Sequence, residues 1–342
     1  MDGSGIARQT GLGAVVFGAT LLVLLGLTAV VGPPRTTPAG SPVPTVTSVR
    51  SGATPAASTA SGTASPAPTA SSSASTAADP VMVGAGDIAD CDADDDEATA
   101  KLLDEIPGTI FTAGDNVYPS GTTVSFGDCF DPSWGRHKDR IRPAPGNHDW
   151  ETGGLTAYLD YFGAAAQGED GDPWYAYDLG SWQIVVLVSD CDRVVGCGPD
   201  SSQGRWLTET LVASDARCTL AIWHHPRFSS GMHGDDASVD PFWRALYAAG
   251  ADVVINGHDH DYERFAPQDP DGREDRARGL REFVVGTGGA QLRTFERVAR
   301  NSELRAAVAH GLLALTLRDG TYDWQFHPTA GDFSDRGTAR CH

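Results

Sequence analysis

Charge is almost missing from the start of this chain. Before residue 80 only Asp2, Arg8, Arg35, Arg50 and Asp79 carry it. Large apolar residues are also scarce between Thr36 and Asp79, where Pro, Ala, Ser and Thr dominate. Such a segment cannot bury enough surface to offset the entropy of ordering. Residues 36–79 are therefore expected to form a disordered linker, a stalk that is either O-glycosylated or plain. Positive charge is short in the remainder as well: the whole chain has 45 Asp and Glu against 25 Lys and Arg, a formal net charge of -20. That balance excludes nucleic acid as a general partner. A cluster of metal cations would still draw phosphate to one place. The six cysteines include no C-x-x-C pair, which argues against a structural zinc site. No internal repeat is found.

What the first residues do contain is an uncharged apolar run, Gly11 to Gly32, centred on Leu21-Leu22-Val23-Leu24-Leu25. It is long enough to span a bilayer. Residues 1–35 are read as a signal or membrane-anchor segment. Pro33-Pro34 follows directly and no A-x-A cleavage site is evident, which favours an uncleaved anchor over a cleaved signal peptide. Either form exports the rest, to the extracellular space or the cell surface, with a membrane contact through the N-terminal segment if it stays. No lipobox-like cysteine is present. An even cysteine count in an exported chain predicts disulfides. Cys191–Cys197 can close a short loop, Cys218–Cys341 can pin the C-terminus, and Cys91–Cys129 can join two loops.

From residue 80 to 342 strand and helix patterns alternate, as expected of one domain. Helices are predicted over Asp94–Ile106, Leu155–Phe162, Gln203–Ala213 and Pro241–Ala249. Strands are predicted over 174–179, 182–189 and 282–285, and a hairpin over 311–317 and 322–326 turning at Asp319-Gly320. A βαβ beginning and a hairpin end suggest a pair of mixed sheets flanked by helices, an α/β fold.

Five further buried-strand patterns share one feature: each ends in a polar group able to bind a metal. Val81-Met82-Val83-Gly84-Ala85-Gly86 leads to Asp87. Thr109-Ile110-Phe111-Thr112-Ala113-Gly114 leads to Asp115, with Tyr118 three residues on. Ile141-Arg142-Pro143-Ala144-Pro145-Gly146 leads to Asn147-His148-Asp149. Thr219-Leu220-Ala221-Ile222-Trp223 leads to His224-His225-Pro226, and Ala251-Asp252-Val253-Val254-Ile255-Asn256 to Gly257-His258-Asp259-His260. Ligands gather at the carboxyl ends of strands in open α/β sheets, so the five ends point to one site. A carboxylate such as Asp115 can bridge two cations, which together clamp a phosphate and sharpen a water into hydroxide. Asp87 and Asn147 add oxygen donors; His224, His258 and His260 add nitrogen. The mixed set suits Fe, Zn or Mn better than Ca.

Taken in order, Gly86-Asp87, Gly114-Asp115-x-x-Tyr118, Gly146-Asn147-His148-Asp149, His224-x-Pro226 and Gly257-His258-x-His260 resemble the calcineurin-like metallophosphoesterase superfamily. The spacing of Tyr118 and the continuation Asp261-Tyr262-Glu263-Arg264 look most like its purple acid phosphatase branch. The resemblance covers about residues 80 to 325. It implies a four-layer sandwich of two mixed β-sheets flanked by helices. It also implies two metal ions, Fe(III) with Fe, Zn or Mn. Asp87, Asp115, Tyr118 and His260 would hold the first, and Asp115, Asn147, His224 and His258 the second. Many superfamily members have Asp-x-His in the first motif; Ala89 stands there instead, and in the purple acid branch the tyrosine takes over that ligand role. His148 is similar to the family histidine that touches phosphate, and His233, in a Gly/Ser loop, to a substrate-facing histidine. His225 is expected beside the site or at the surface.

The expected activity is hydrolysis of small-molecule phosphomonoesters by metal-activated hydroxide. No Ser, Thr or Cys holds a nucleophile position in the motifs, so no phosphoenzyme is expected. The alternatives are a phosphodiesterase or nucleotide hydrolase on the same scaffold, and a cell-surface binding protein without activity.

Overall fold

The β-branched and aromatic runs expected as strands pair into two mixed sheets in a computed structural model that describes residues 78–150 and 153–342. The expected N-terminal segment at 1–35, and all but the last two residues of the 36–79 linker, lie outside the described residues. The first sheet has the order Arg336–Arg340, Thr321–Pro328, Gly311–Arg318, Val81–Ala85, Thr109–Ala113 and Ile141–Ala144. Its last three strands are parallel, and Gly311–Arg318 and the strands beyond it join antiparallel. The second sheet runs Ser302–Ala306, Tyr262–Phe265, Arg281–Val285, Val253–Asn256, Cys218–Ile222, Trp182–Val186 and Tyr175–Leu179. Its four central strands are parallel.

Parallel neighbours need crossovers, and helices supply them. Asp95–Glu105 links the first two parallel strands of one sheet; Ser202–Ala213 and Asp240–Ala249 do the same in the other. The pleat sorts the side chains between layers. Ile184, Val186, Leu220, Ile222, Val253 and Ile255 join the central core shared with the first sheet. Their neighbours Val185, Ala221, Trp223 and Val254 face the other way, against Leu207, Phe242, Trp243 and Leu246 of two helices. Each predicted helix forms, with ends within two residues of those expected.

Besides the two-residue strands Ala89–Asp90 and Val117–Tyr118, which pair with each other, three strands have no counterpart in the sequence patterns: Tyr262–Phe265, Ser302–Ala306 and Arg336–Arg340. Each carries charge where a strand pattern has apolar residues. In the first two of these three, charges find tertiary partners: Glu263 accepts from Ser230, while Arg264 donates to Asp335 and Glu303. All three cysteine pairings form, Cys91–Cys129, Cys191–Cys197 and Cys218–Cys341, with Cα separations of 5.2, 5.1 and 5.7 Å.

Candidate metal centre

The parallel strands of both sheets deliver their carboxyl ends to one place. Asp87, Asp115 and His258 turn there with φ of 58°, 49° and 71°, a left-handed conformation that is costly for residues with a Cβ. Neighbouring backbone holds them. The Asp87 N–H donates to Gly114 O at 3.0 Å, His258 N–H to Asp87 Oδ2 at 2.8 Å, and His148 N–H to Asp115 Oδ1 at 2.8 Å. The glycines before the ligands are needed for closeness. A Cβ on Gly114, at φ +84°, would lie 2.5 Å from His224 Nδ1, and one on Gly146 would lie 2.3 Å from Asp115 Oδ1.

Six expected ligands and Tyr118 meet in this space. His224 Nε2 lies 3.2 Å from Asp115 Oδ2, 3.1 Å from Asn147 Oδ1 and 3.2 Å from His258 Nδ1. His260 Nε2 lies 3.3 Å from Asp87 Oδ1. The Tyr118 hydroxyl joins the two halves: it lies 2.7 Å from Asp87 Oδ1, 2.8 Å from Asp115 Oδ2 and 3.2 Å from His260 Nε2. Asp87, Asp115 and His224 are buried.

The tautomers set by neighbouring carbonyls test whether this donor set suits a cation. Ala113 O, 2.8 Å from His224 Nδ1, can only accept, so Nδ1 carries a proton. In the neutral ring Nε2 is then a lone pair, and it faces the oxygens of Asp115 and Asn147 and a ring nitrogen of His258. Gln291 O, 2.8 Å from His260 Nδ1, fixes that ring in the same sense. Converging acceptors are reconciled by a proton or a cation. Without a cation the proton solution appears. Burial disfavours charge on His224, yet Asp115, and then Asp87, push its pKa up to about 10. Asp115 is held well below the ordinary carboxylate range, since His224 outweighs a burial that raises it. Burial, then Asp115 and Asp87, raise the Tyr118 phenol. Burial, then the charge on His224, drive His258 down. The donor set therefore fits cations in place of those protons.

Around this cluster His148 stands at one side, its ring 4.4 Å from that of Tyr118 and its Nδ1 2.8 Å from Pro119 O. His233 stands at another, exposed, its ring 4.2 Å from that of His258. Asp259 fastens the His233 loop, accepting from Ser229 Oγ and from the His233 and Gly234 N–H groups. His225 adjoins the cluster, with its ring 4.3 Å from His258 and its Nδ1 2.8 Å from Ser189 Oγ. Burial, then the charge on His224, lower His225 to about 4. His137, His310 and His342 contact Asp104, Ala290 O and Asp252, away from the ligands.

Sequence reasoning gave no role to two residues that matter here. Asp149 is buried and accepts from Gly146 N–H, Asn116 N–H and Asn116 Nδ2, tying two ligand loops together. Its place inside the Gly146–Asp149 motif was the available signal. Arg293 donates to His233 Nε2 at 2.6 Å, and nothing in its surrounding sequence marks it.

Two other clusters with metal-binding residue types differ in standing. His224, His225 and His258 belong to the same centre; Cys218, Asp252 and Cys341 do not make a site, because both thiols are spent in a disulfide. A cavity of about 730 Å³ lined by Arg142, Trp174, Tyr177 and Trp206 is lined by none of the cluster's ligands; one of about 230 Å³ borders the cluster through His225.

Comparison with known proteins agrees with this geometry. Purple acid phosphatase 15 of Arabidopsis thaliana is 26% identical over 206 residues, 49% of this chain and 38% of that protein. The chain spans less than half the length of the curated relatives it matches. Among solved structures, a purple acid phosphatase from yellow lupin seeds superposes with a TM-score of 0.59 at 18% identity, covering 76% of this chain and 53% of that one. GAP50, described as the anchor in the inner membrane complex of Plasmodium, gives 0.58 at 14% identity, covering 78% and 90%. These likenesses establish the fold and a distant similarity to purple acid phosphatases. Residues 82–262, more than half of the sequence, match the calcineurin-like phosphoesterase family, in which a binuclear metal site is typical, and the chain belongs to it.

Proposed function

We propose that this protein hydrolyses phosphomonoesters at a binuclear centre held by Asp87, Asp115, Tyr118, Asn147, His224, His258 and His260. The observation that carries the reading is the run of ligand atoms, each within 2.7–3.3 Å of a neighbour in the cluster, two of them histidine nitrogens whose rings are already fixed by backbone carbonyls. Asp115 would be the ligand common to both ions. Its Oδ2 is shared between His224 and Tyr118, on opposite halves of the cluster. Two cations held there supply positive charge to phosphoryl oxygens and make a water acidic. Tyr118 suits Fe(III) as one of the pair, because a phenolate is a hard anionic donor; Fe, Zn or Mn suits the side with more histidine.

The chain's own groups do the rest. His148 is turned by Pro119 O and anchored by Asp115, and exchanges the leaving-group proton. Asp149 keeps the Asp115 and Asn147 loops in register. The three disulfides support a place outside the cytosol. The test is metal analysis of protein purified without chelators, with parallel assays on phenyl phosphate, bis(4-nitrophenyl) phosphate and nucleotides. Two metals per chain and fastest turnover of the monoester are expected. Preference for the diester or a nucleotide would move the activity to another phosphoesterase class. Absence of metal and of all turnover would refute it.

A further inference from the structure

We infer that Arg293, held against His233 at the rim of the metal site, forms an anion subsite for a second acidic group on the substrate. The inference rests on the phosphoesterase reading and narrows its substrate class.

The position of Arg293 is fixed by the site itself. Gln291 O accepts from His260 Nδ1 at 2.8 Å, and the Arg293 N–H donates to His260 O at 2.9 Å. Two contacts thus tie residues 291–293 to one proposed ligand. The guanidinium reaches across to His233 Nε2 at 2.6 Å. His233 is itself held by its N–H to Asp259 Oδ1 at 2.8 Å, with its ring over His258. From the centre outward the order is His258, His233, Arg293.

The charge on Arg293 is not cancelled locally. Among the described residues no carboxylate lies within ion-pair distance of it. Nearby arginines differ: Arg297 pairs with Asp235, and Arg264 with Asp335 and Glu303. Among the described residues the guanidinium of Arg293 has one hydrogen-bond partner, the His233 imidazole nitrogen, which accepts and is therefore uncharged at that atom. A guanidinium has five N–H donors in a planar fork suited to carboxylate or phosphate. In a chain of net charge -20, an unpaired cation beside a phosphoesterase centre is a place for substrate charge.

Its reach selects the group. His233 lies between Arg293 and the ligand His258, so the guanidinium meets what projects beyond the transferred phosphoryl. The substrate class is therefore a phosphate ester whose alcohol carries a carboxylate or a second phosphate.

The test uses metal-loaded protein and four phosphonates that cannot be hydrolysed: benzenephosphonates with a carboxylate or the isosteric carboxamide, meta or para. Binding is measured by calorimetry for wild type and Arg293→Gln, and turnover of the corresponding phosphate esters is measured in parallel. Wild type should bind at least one carboxylate isomer about tenfold tighter than its carboxamide, the size expected of a charge-assisted contact. Arg293→Gln should bring that ratio to within about twofold, leaving carboxamide binding and metal content unchanged. A purely structural role would weaken both ligands alike and overturn the proposal. Equal binding of carboxylate and carboxamide by wild type, or no binding of either, would overturn it too. Carboxylate preference in binding without turnover of any ester would retain the subsite and remove the hydrolase reading. Turnover without preference would do the reverse.

Discussion

Replacing Tyr118 with Phe removes one oxygen from the most crowded point of the cluster. That oxygen lies within 2.8 Å of a carboxylate on each half, Asp87 Oδ1 and Asp115 Oδ2, and 3.2 Å from His260 Nε2. Without cations its single proton is shared between two carboxylates. A hydrogen bond to a charged acceptor contributes roughly 1.5–3 kcal/mol, and leaving buried acceptors without a donor adds to the loss. The metal-free variant should therefore be less stable by about 2–3 kcal/mol, or roughly 4–6 °C in Tm for a domain of this size. With iron bound the effect is on the metal. The variant should lose the phenolate-to-Fe(III) absorption in the visible and retain less iron, while the ion held by His224, His258 and Asn147 stays. The assay is paired: thermal unfolding after chelation, and metal content with visible spectra before it. Unchanged Tm together with unchanged iron and colour would refute the reasoning. Protein that holds iron but is colourless in wild type would remove Tyr118 from the ligands.

Asp115→Asn should lower metal content and nearly abolish turnover, because both halves of the cluster share Asp115 Oδ2, whereas His225→Ala should do much less; equal effects, measured by elemental analysis and kcat, would count against the bridge. His148→Ala should keep both metals and lower kcat about a hundredfold for poor leaving groups. The loss should be smaller for good ones, and a rate series in leaving-group pKa showing equal losses would assign His148 to phosphate binding instead. Gly114→Ala should fold with reduced metal content, since its Cβ would lie 2.5 Å from His224 Nδ1 and break the carbonyl contact that orients the ring; full metal occupancy would show that the strand end yields.

The centre was legible in the sequence because strand ends concentrate it. A buried parallel strand reads as a short apolar run, and the first polar residue beyond it is where the chain turns at the sheet's edge. Asp87, Asp115, Asn147, His224 and His258 each follow such a run, so spacing along five segments reported proximity in space. Groups whose place is set by tertiary contact alone were not legible. Arg293 lies in a stretch without regular structure between Arg281–Val285 and Ser302–Ala306, and reaches the site only because residues 291–293 bond to His260. The missed strands obey the same logic. Tyr262–Phe265 begins two residues after His260, but its Glu263 and Arg264 hide the strand pattern by finding Ser230 and Asp335 elsewhere in the fold. The proposed metal ligands converge through the regular part of the fold, while Arg293, proposed to contact substrate beyond them, comes from an irregular connection. Two chains with the same motifs can therefore share the hydrolytic centre and differ in substrate through residues such as Arg293.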